Sequence, residues 1–373
     1  MGDERAAPSS ASVVAGAGPA PSTDDPMALT GWQLRTQAAA CATMGSPLYA
    51  ALLRSAAVDV EAAGPVWSVL APHVVPGRGD ALALRLMAAA HRLVLTHRAP
   101  ALAVHYPSVG GEAGPDGAWP AFAELCEERR ETLVELVASP CQTNEVGRAA
   151  GLAGGFLEVA GAAGLPLRVL EVGASAGLNL RWDRFRYGGG GRSWGPPDSP
   201  VDLTGHWREP PPCTDVAVQV VERAGCDRRP VDPTSAEGRL AVTASVWADQ
   251  TSRFERLRGA LALAQQVPAT VDRASLDEWV ADRLAERLEG VATVLYHSVV
   301  AEYLEEDVRS RFRRALHEAG ERATASAPLA WLRLEPVSAL RHHGVTLTTW
   351  PGGEERILAR CGAHGTDVVW LGG

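Results

Sequence analysis

The fold is decided by one stretch of the chain, RVLEVGASAGLNLRWDRF, at residues 168–185. The aliphatic and β-branched residues at its start predict a buried strand, and the small residues after them predict a tight turn. A helical pattern begins near Ser175. A strand that turns sharply into a helix through glycines lets a ligand approach the backbone closely. The stretch therefore predicts a ligand site at the end of a strand.

The chain after Gly164 alternates short strand-like runs with amphipathic helical segments. This alternation predicts an α/β fold of the Rossmann-like type, with a mostly parallel sheet and helices on both faces. An antiparallel hairpin closes the series, and this order is that of a class I methyltransferase domain. A Gly-, Pro- and Trp-rich insertion at 187–212 interrupts it. The predicted parallel strands are LRVLEV, DVAVQVVERAGCD, PATVDRA, VATVLYHSVV and PLAWLRLEPV, and the hairpin is VTLTTW with ERILARCG.

The residues before 165 have a different pattern. From 29 to 164, Ala-rich segments carry apolar residues at three- and four-residue spacing, which predicts an all-helical N-terminal domain. Residues 1–28 contain almost no large apolar side chain and cannot offset the entropy of ordering, so we expect them to be disordered. The Rossmann-like domain is then expected to span residues 165–373.

Composition limits the partners. The net charge of −9 at pH 7 argues against nucleic acid, because a polyanionic partner would repel this chain. No run of about 18 apolar residues occurs, which argues against a membrane partner. The six cysteines are scattered without a C-x-x-C pair, which predicts a reduced, cytoplasmic protein. Cys361 and His364 lack the companion ligands of a closed zinc site, so no metal is expected.

The sequence contains no lysine, so all 35 basic residues are arginines. A pyridoxal Schiff base, a Walker A phosphate loop and the strand lysine of a protein kinase each need an ammonium side chain. Three enzyme classes are thereby excluded, and a small-molecule substrate remains the expected partner. The oligomeric state stays open.

The turn after the first strand has the pattern E-x-G-x-S-x-G, formed by Glu171, Gly173, Ser175 and Gly177. It resembles the E/D-x-G-x-G-x-G motif of S-adenosylmethionine-dependent methyltransferases, with serine in place of the middle glycine. Small residues let the backbone approach the methionine part of the cofactor, and the carboxylate can accept from its ammonium group. The resemblance implies that these residues bind S-adenosylmethionine, although an ordinary strand-to-helix turn has the same composition.

Two other ligands fit the turn less well. A dinucleotide fingerprint requires G-x-G-x-x-G, whereas the glycines here are spaced as G-x-x-x-G. A serine hydrolase would use G-A-S-A-G as its nucleophile elbow, with Ser175 as the nucleophile. Several strands should then precede the elbow, and here the upstream chain looks helical. The residues that could complete a triad are Asp272 or Asp307 with His342, His343 or His364.

Several motifs together resemble one bacterial family, domain of unknown function 2332. They occur in the order TNEVGR (143–148), LEVGASAGLNLRWDRFRY, GCDRRPVD, SVWADQ, YHSVVAEYL, WLRLEP and WPGGEERILARCG. The resemblance covers roughly residues 30–372 and implies membership of that family. The C-terminal part of the family is similar to methyltransferase domains, which agrees with the pattern of the turn.

Methyltransferases place an acidic residue after the second strand to bind the ribose hydroxyls. The segment GCDRRP is similar to the G-x-D-x-x-P form of that site and nominates Asp227, with Glu222 and Asp232 as competitors. After the third strand an acid near the adenine amine is usual, and the segment DRASLDEW offers Asp272 or Asp277.

The fourth strand ends at His297, where methyltransferases commonly place residues that face the reacting methyl group. A neutral histidine there could act as a general base on a hydroxyl or amine, or it could simply hold the strand end. Arg148 could pair with the cofactor carboxylate or with a neighbouring glutamate. Trp194 and Trp207, in the insertion, are candidates for a substrate lid.

These observations predict methyl transfer from S-adenosylmethionine to a small-molecule acceptor. A serine hydrolase and a non-catalytic S-adenosylmethionine-binding protein are the alternatives. The acceptor and the atom that is methylated are not specified by the sequence.

Overall fold

The computed structural model describes residue 21 and residues 24–75, 81–337 and 342–372. The chain divides into two compact units, of which the first comprises residues up to Cys141 together with Ala244–Thr251, and the second comprises Gln142–Thr243 and the residues from Ser252 onward. This division falls earlier than the expected boundary at residue 164. Most of the segment expected to be disordered lies outside the described residues, but a helix already begins at Pro26, ahead of residue 29.

The first unit is built from short helices in its described residues. Proline occupies the first turn of four of them, where its missing N–H costs no helical hydrogen bond. The Asp25 side chain accepts from the Ala28 N–H at 3.0 Å and caps the first helix. The helices are α1 Pro26–Thr43, α2 Pro47–Glu61, α3 Pro65–Leu70, α4 Leu82–Leu95, α5 Pro100–Ala103, α6 Ala118–Glu128 and α7 Arg130–Val137.

The segment Ala244–Thr251 completes the first unit. The Asp249 carboxylate accepts from the Ser46 hydroxyl at 2.6 Å and from the Leu48 N–H at 2.9 Å, so it caps the start of α2. Trp247 is buried, with its ring centre 6.2 Å from that of Tyr49. The motif SVWADQ therefore serves the packing of this unit.

The described residues of the second unit form an 11-stranded sheet in the order β3-β2-β4-β11-β10-β9-β8-β7-β1-β5-β6. The strands are β1 Leu167–Val172, β2 Arg186–Gly189, β3 Arg192–Trp194, β4 Asp202–Glu209, β5 Val220–Asp227, β6 Thr270–Arg273, β7 Ala292–Ser298, β8 Leu329–Val337, β9 His342–Trp350, β10 Glu354–Cys361 and β11 Val368–Trp370. The helices are α8 Arg148–Ala163, α9 Ala236–Ala244, α10 Thr251–Gln266, α11 Leu276–Ala285 and α12 Glu306–Glu321. Within the described ranges, no helix is long and apolar enough to cross a membrane.

The centre of the sheet runs β6-β5-β1-β7-β8, and every pair in it is parallel. All six residues of β1 are buried, as expected for a strand that is covered on both faces. The prediction of an α/β fold with a mostly parallel sheet is confirmed. The chain places β5 and then β6 on one side of β1, and it then crosses over to place β7 and β8 on the other side. Open parallel sheets bind ligands at such a switch point, outside the carboxyl ends of the strands.

Helix α8 packs directly on the sheet because it is rich in glycine. A Cβ atom at Gly151 would lie 2.8 Å from Leu334 Cδ1, and one at Gly154 would lie 2.6 Å from Trp370 Cζ3. Real side chains do not tolerate such contacts, so the glycines set the close approach of α8 to β8 and β11. Because α8 leads directly into β1, its first residue, Arg148, lies at the same edge as the carboxyl ends of the parallel strands.

The predicted helix after the first turn is not formed. Only a 3-10 turn, Leu178–Arg184, follows the turn before the chain enters β2. The insertion forms β2, β3 and β4, which extend the sheet. Trp194 and Trp207 are 9% and 2% exposed and pack against each other with ring centres 6.0 Å apart. The prediction that they form a substrate lid is wrong, because both side chains belong to the core.

Candidate functional site

The turn between β1 and the 3-10 turn uses left-handed backbone three times. Gly173, Ser175 and Gly177 have φ angles of +68°, +52° and +62°. Glycine adopts such angles freely, whereas serine does so at a cost that its surroundings must offset. The Ser175 N–H donates to Asp227 Oδ2 at 2.9 Å, and its hydroxyl donates to Gln142 Oε1 at 3.0 Å. The serine is therefore fixed in place on both its backbone and its side chain.

The two glycines of this turn are required by their neighbours. A Cβ atom at Gly173 would lie 2.6 Å from Val300 Cγ2, and one at Gly177 would lie 2.7 Å from Val271 Cγ2. A side chain at Gly173 would therefore collide with Val300 before it could affect a ligand. Substitutions at Gly173 therefore report on folding before they report on binding.

Glu171 is a buried carboxylate beside this turn. It is 3% exposed and lies in register with Gly225 on β5 and Tyr296 on β7. Its Oε2 atom makes no hydrogen bond in the described part of the chain. Burial raises the pKa of Glu171 to about 8, although the Tyr296 hydroxyl and Arg181 oppose this shift. A cation that approached this carboxylate would stabilise its ionised form.

Asp227 ends β5 next to the turn, as the sequence predicts. Its Oδ2 accepts the Ser175 N–H, and its Oδ1 accepts the Arg229 N–H at 2.8 Å. Each carboxylate oxygen has further lone pairs, so both can accept a second donor. Asp227 thus supports the turn directly, and we expect its substitution to lower stability as well as to affect binding.

The competing acids at the second strand are engaged elsewhere. Glu222 forms an ion pair with Arg168 at 2.9 Å, and Asp232 accepts from the Thr234 N–H at 2.8 Å within its own loop. Of the three acids, only Asp227 is hydrogen-bonded to the turn in the described residues.

The two acids proposed for adenine recognition both serve the packing of α11. Asp272 accepts from Trp279 Nε1 and from Arg283 Nη2, each at 2.8 Å, and these donors hold the pKa of Asp272 below its usual range. Asp277 is buried and accepts from Arg311 Nε at 2.6 Å. No contact in the described residues favours either as the adenine ligand, so that role remains a prediction.

His297 ends β7 and forms a pair that the sequence did not reveal. Its Nδ1 lies 2.6 Å from Oε1 of Glu335, near the end of the adjacent strand β8. Burial opposes ionisation of Glu335, but the bond from His297 and the N–H groups of Val300 and Ala301 hold its pKa below the usual range. The anionic carboxylate favours the tautomer with the proton on Nδ1 and leaves Nε2 as an acceptor. The sequence could have nominated Glu335, because the motif WLRLEP places a carboxylate at the end of a strand that is parallel to β7 and next to it.

The chain after His297 is strained. Val299 has a φ of +55°, an angle that a β-branched residue rarely adopts. Its N–H donates to the Leu334 carbonyl at 2.9 Å, which helps to fix this conformation. Ser175 and Val299 are thus non-glycine residues in left-handed backbone on either side of the switch point. Strain of this kind concentrates at functional sites.

Arg148 reaches the same edge from the start of α8. Its Nε donates to the Ala363 carbonyl at 3.0 Å and its Nη1 donates to the Ser298 carbonyl at 3.3 Å. Both of these hydrogen bonds go to backbone carbonyls, and the pairing of Arg148 with a cofactor carboxylate remains a prediction. Arg148 therefore connects the end of β7 to the loop that follows β10.

The rest of the TNEVGR motif supports the 3-10 turn. Asn144 Oδ1 accepts the Leu178 N–H at 2.9 Å, and the Glu145 carbonyl accepts from Asn179 Nδ2 at 3.0 Å. The motif, the glycine turn and the end of β7 thus form one continuous hydrogen-bonded group around the switch point.

A family described as an uncharacterized protein conserved in bacteria (DUF2332) matches residues 32–370. The chain belongs to this family. The family membership that the motifs predicted is confirmed. Three of these motifs, TNEVGR, the glycine turn and WLRLEP, meet at the switch point. No curated protein and no solved structure matches the chain significantly. The function of this family member must therefore be argued from its site.

Proposed function

We propose that this protein transfers a methyl group from S-adenosylmethionine to a small-molecule acceptor. The proposal rests on Glu171, a buried carboxylate with an unpartnered Oε2, beside a turn of small left-handed residues at the switch point. A buried carboxylate without a partner is costly, and an ammonium ligand would offset that cost. The strand order from β6 to β8, followed by the β9-β10 hairpin, agrees with a Rossmann-like methyltransferase domain.

The residues present fit the cofactor. Glu171 would accept from its ammonium group, and the free lone pairs of Asp227 would accept from the ribose hydroxyls. The bound cofactor supplies an electrophilic methyl group on a sulfonium sulfur. Gly173 and Gly177 contribute by adopting the left-handed backbone of this turn and by leaving room for Val300 and Val271.

His297 and Glu335 would handle the proton of the acceptor. A bound cofactor would supply its methyl group to an oxygen or nitrogen of the acceptor and would leave as the thioether, and the part of the chain would be to take the proton that the acceptor loses. The acceptor proton passes to His297 Nε2, and the bond from Nδ1 to the Glu335 carboxylate stabilises the resulting imidazolium. Alignment of the reactants contributes most of the rate, so no stronger acid or base is needed.

The test is calorimetric titration of the full chain with S-adenosylhomocysteine. We expect one molecule to bind per chain, and Glu171→Gln to weaken binding more than tenfold because the amide cannot pair with the ammonium. Glu278→Gln, at an exposed position on α11, is the matched control and should not change binding. Absence of binding heat and of a thermal shift at millimolar ligand would rule out this function.

Ser175 is not arranged as the nucleophile of a hydrolase. Its hydroxyl donates to Gln142, and no described histidine is hydrogen-bonded to it. A nucleophilic serine needs an adjacent base. We expect Ser175→Ala to keep any activity within about tenfold, whereas loss of a nucleophile would cost several orders of magnitude. Labelling of Ser175 by a fluorophosphonate would favour the hydrolase, and binding without turnover would favour the non-catalytic alternative.

A further inference from the structure

A group of arginines lies beside Arg148. We call it the arginine cluster and define it as Arg148, Arg253 and Arg256 with Glu145, His206 and His364. Arg253 Nη2 lies 2.5 Å from Glu145 Oε2, and the two side chains are 6% and 3% exposed. This buried ion pair is the centre of the cluster.

Close backbone contacts bring the rest of the cluster together. A Cβ atom at Gly147 would lie 2.5 Å from the His364 carbonyl oxygen and 3.3 Å from His206 Cε1. His206 Nδ1 in turn lies 2.9 Å from the Gly365 carbonyl oxygen, and Arg148 donates to Ala363. The TNEVGR motif, β4 and the loop after β10 therefore meet at this point.

The cluster has more positive than negative charge. Burial and the neighbouring Arg253 lower the pKa of His364 to about 4, and burial also lowers that of His206, so both imidazoles are neutral at pH 7. Despite its burial, Glu145 has its pKa lowered to about 2 by the arginines and is anionic. Within the cluster as defined, three guanidinium groups are therefore accompanied by one carboxylate, Glu145.

Arg256 is the member without a matched partner. Burial lowers the pKa of its guanidinium, Glu145 opposes this shift, and repulsion from Arg253 adds to it. Arg256 Nε is buried and makes no hydrogen bond in the described part of the chain. The Glu255 carboxylate also attracts the Arg256 guanidinium, but Glu255 is exposed to solvent. The Glu335 carboxylate attracts the Arg148 guanidinium, but it is already hydrogen-bonded to His297. Buried positive charge in excess is costly until an anion compensates it.

We propose that the arginine cluster binds an anionic group, a carboxylate or a phosphate, on the methyl acceptor. This inference rests on the proposed methyltransferase function. Arg148 contacts the Ser298 carbonyl, and its guanidinium is attracted by the Glu335 carboxylate, so an anion at the cluster would lie near the carboxylate that holds His297. Guanidinium groups suit both anions because their fork of N–H donors matches two oxygens.

The cofactor carboxylate is the other possible source of the anion. The sheet order argues for the acceptor, because His206 on β4 and His364 after β10 lie on one side of β7. The glycine turn and Asp227, at β1 and β5, lie on the other side. An anion at the cluster and a cofactor at the turn would therefore approach the end of β7 from opposite directions.

Inorganic phosphate is the probe for this site. We expect it to bind the full chain at millimolar concentration and to raise the pH at which the His364 imidazole titrates in NMR spectra. Arg256→Gln should weaken phosphate binding at least tenfold. Arg258→Gln, at an exposed position two residues later on α10, is the matched control and should change it less than twofold. The anion site would be overturned if phosphate did not bind, or if Arg256→Gln and Arg258→Gln weakened its binding equally. The NMR titration of the unaltered protein shows whether phosphate binds even if a variant fails to fold.

Saturation with S-adenosylhomocysteine separates the two sources of the anion. If the cluster serves the acceptor, phosphate affinity is unchanged when S-adenosylhomocysteine is bound. If S-adenosylhomocysteine competes with phosphate, the cluster binds the cofactor carboxylate and the acceptor assignment is wrong. If S-adenosylhomocysteine does not bind at all, the methyltransferase function and the acceptor assignment fail together, while the phosphate titration still decides whether the cluster is an anion site.

Discussion

The turns after β1 and after β7 share one design and differ in what they present. Each has a non-glycine residue in left-handed backbone, Ser175 in one and Val299 in the other. Each is held by a carboxylate from the next strand outward: Asp227 of β5 accepts the Ser175 N–H, and Glu335 of β8 accepts the Val300 N–H. The same device therefore fixes the backbone on both sides of the switch point.

The difference lies in the residues around each device. The β1 turn consists of small residues next to Glu171, whose Oε2 makes no hydrogen bond to the described residues, and this arrangement suits binding of a cation. The β7 turn carries branched residues, and its carboxylate also contacts His297, which suits transfer of a proton. The comparison teaches that a carboxylate that holds a turn can keep lone pairs for a second donor, as Asp227 does, or can set the tautomer of a neighbouring base, as Glu335 does.

Substitution of His297 should have the largest effect. We expect His297→Ala to lower kcat by about 10²–10⁴-fold, the usual contribution of a general base, with little change in S-adenosylhomocysteine affinity. Glu335→Gln should lower kcat by a smaller factor and shift the pH profile of kcat, because a neutral amide stabilises the imidazolium less. Equal kcat values for His297→Ala and the unaltered enzyme would show that both turns serve binding alone.

Substitution of Asp227 should act on the other turn. Hydrogen bonds to a charged group contribute roughly 1.5–3 kcal/mol, so Asp227→Ala should weaken S-adenosylhomocysteine binding about ten- to hundredfold. It should also lower the melting temperature, because the Ser175 N–H loses its acceptor. Asp227→Asn should weaken binding less, since the amide oxygen still accepts. Asp232→Ala is the control. If it weakened S-adenosylhomocysteine binding more than Asp227→Ala does, the ribose contact would be assigned to Asp232.

The raised pKa of Glu171 predicts how binding and stability depend on pH. Binding of an ammonium group ionises a carboxyl whose pKa is about 8, so S-adenosylhomocysteine binding near pH 7 should release a proton. The enthalpy measured in buffers of different ionisation heat detects it. Between about pH 4.5 and 8 the folded protein holds a proton that the unfolded chain has lost, so the free energy of unfolding falls as pH rises. Glu171→Gln should abolish the proton release and flatten this fall, and an unchanged release would contradict the assignment.

Relief of backbone strain should have the smallest effect. Val299→Gly places glycine at a φ of +55° and should raise the free energy of unfolding by about 1 kcal/mol. Ser175→Gly should gain less, because it also loses the hydrogen bond to Gln142. Urea denaturation of both variants measures the difference. If Val299→Gly lowered the free energy of unfolding, and did so more than Ser175→Gly, the β7 turn would be held by the packing of the Val299 side chain.

The sequence predicts the central sheet because β1 and β7 are buried apolar runs and the strands of this part are separated by helical segments. It does not predict β2 and β3, because RYGG and RSW are only four and three residues long. It does not predict β4, because that strand pairs with β11, which is distant in the chain. It also places a helix after the glycine turn, where Asn144 instead fixes the chain in a 3-10 turn.

For the site, the sequence predicts positions better than contacts. Asp227 and His297 lie at strand ends as expected, since the carboxyl ends of parallel strands share one edge. Glu335 is missed because its role depends on the register of β7 against β8. The hydrogen bond from Arg283 to Asp272 could not be predicted, because it depends on how α11 packs and no local sequence pattern specifies that packing.

The completion of the first unit by Asp249 has a consequence for synthesis on the ribosome. Roughly a hundred residues of the second unit separate Cys141 from the segment that caps α2. At about 5–20 residues per second, the N-terminal helices emerge about 5–20 s before the segment that finishes their core. During that interval Tyr49 lacks its contact with Trp247. A nascent chain stopped before residue 244 should therefore be sensitive to protease in its N-terminal helices, and release of residues 244–251 should restore protection.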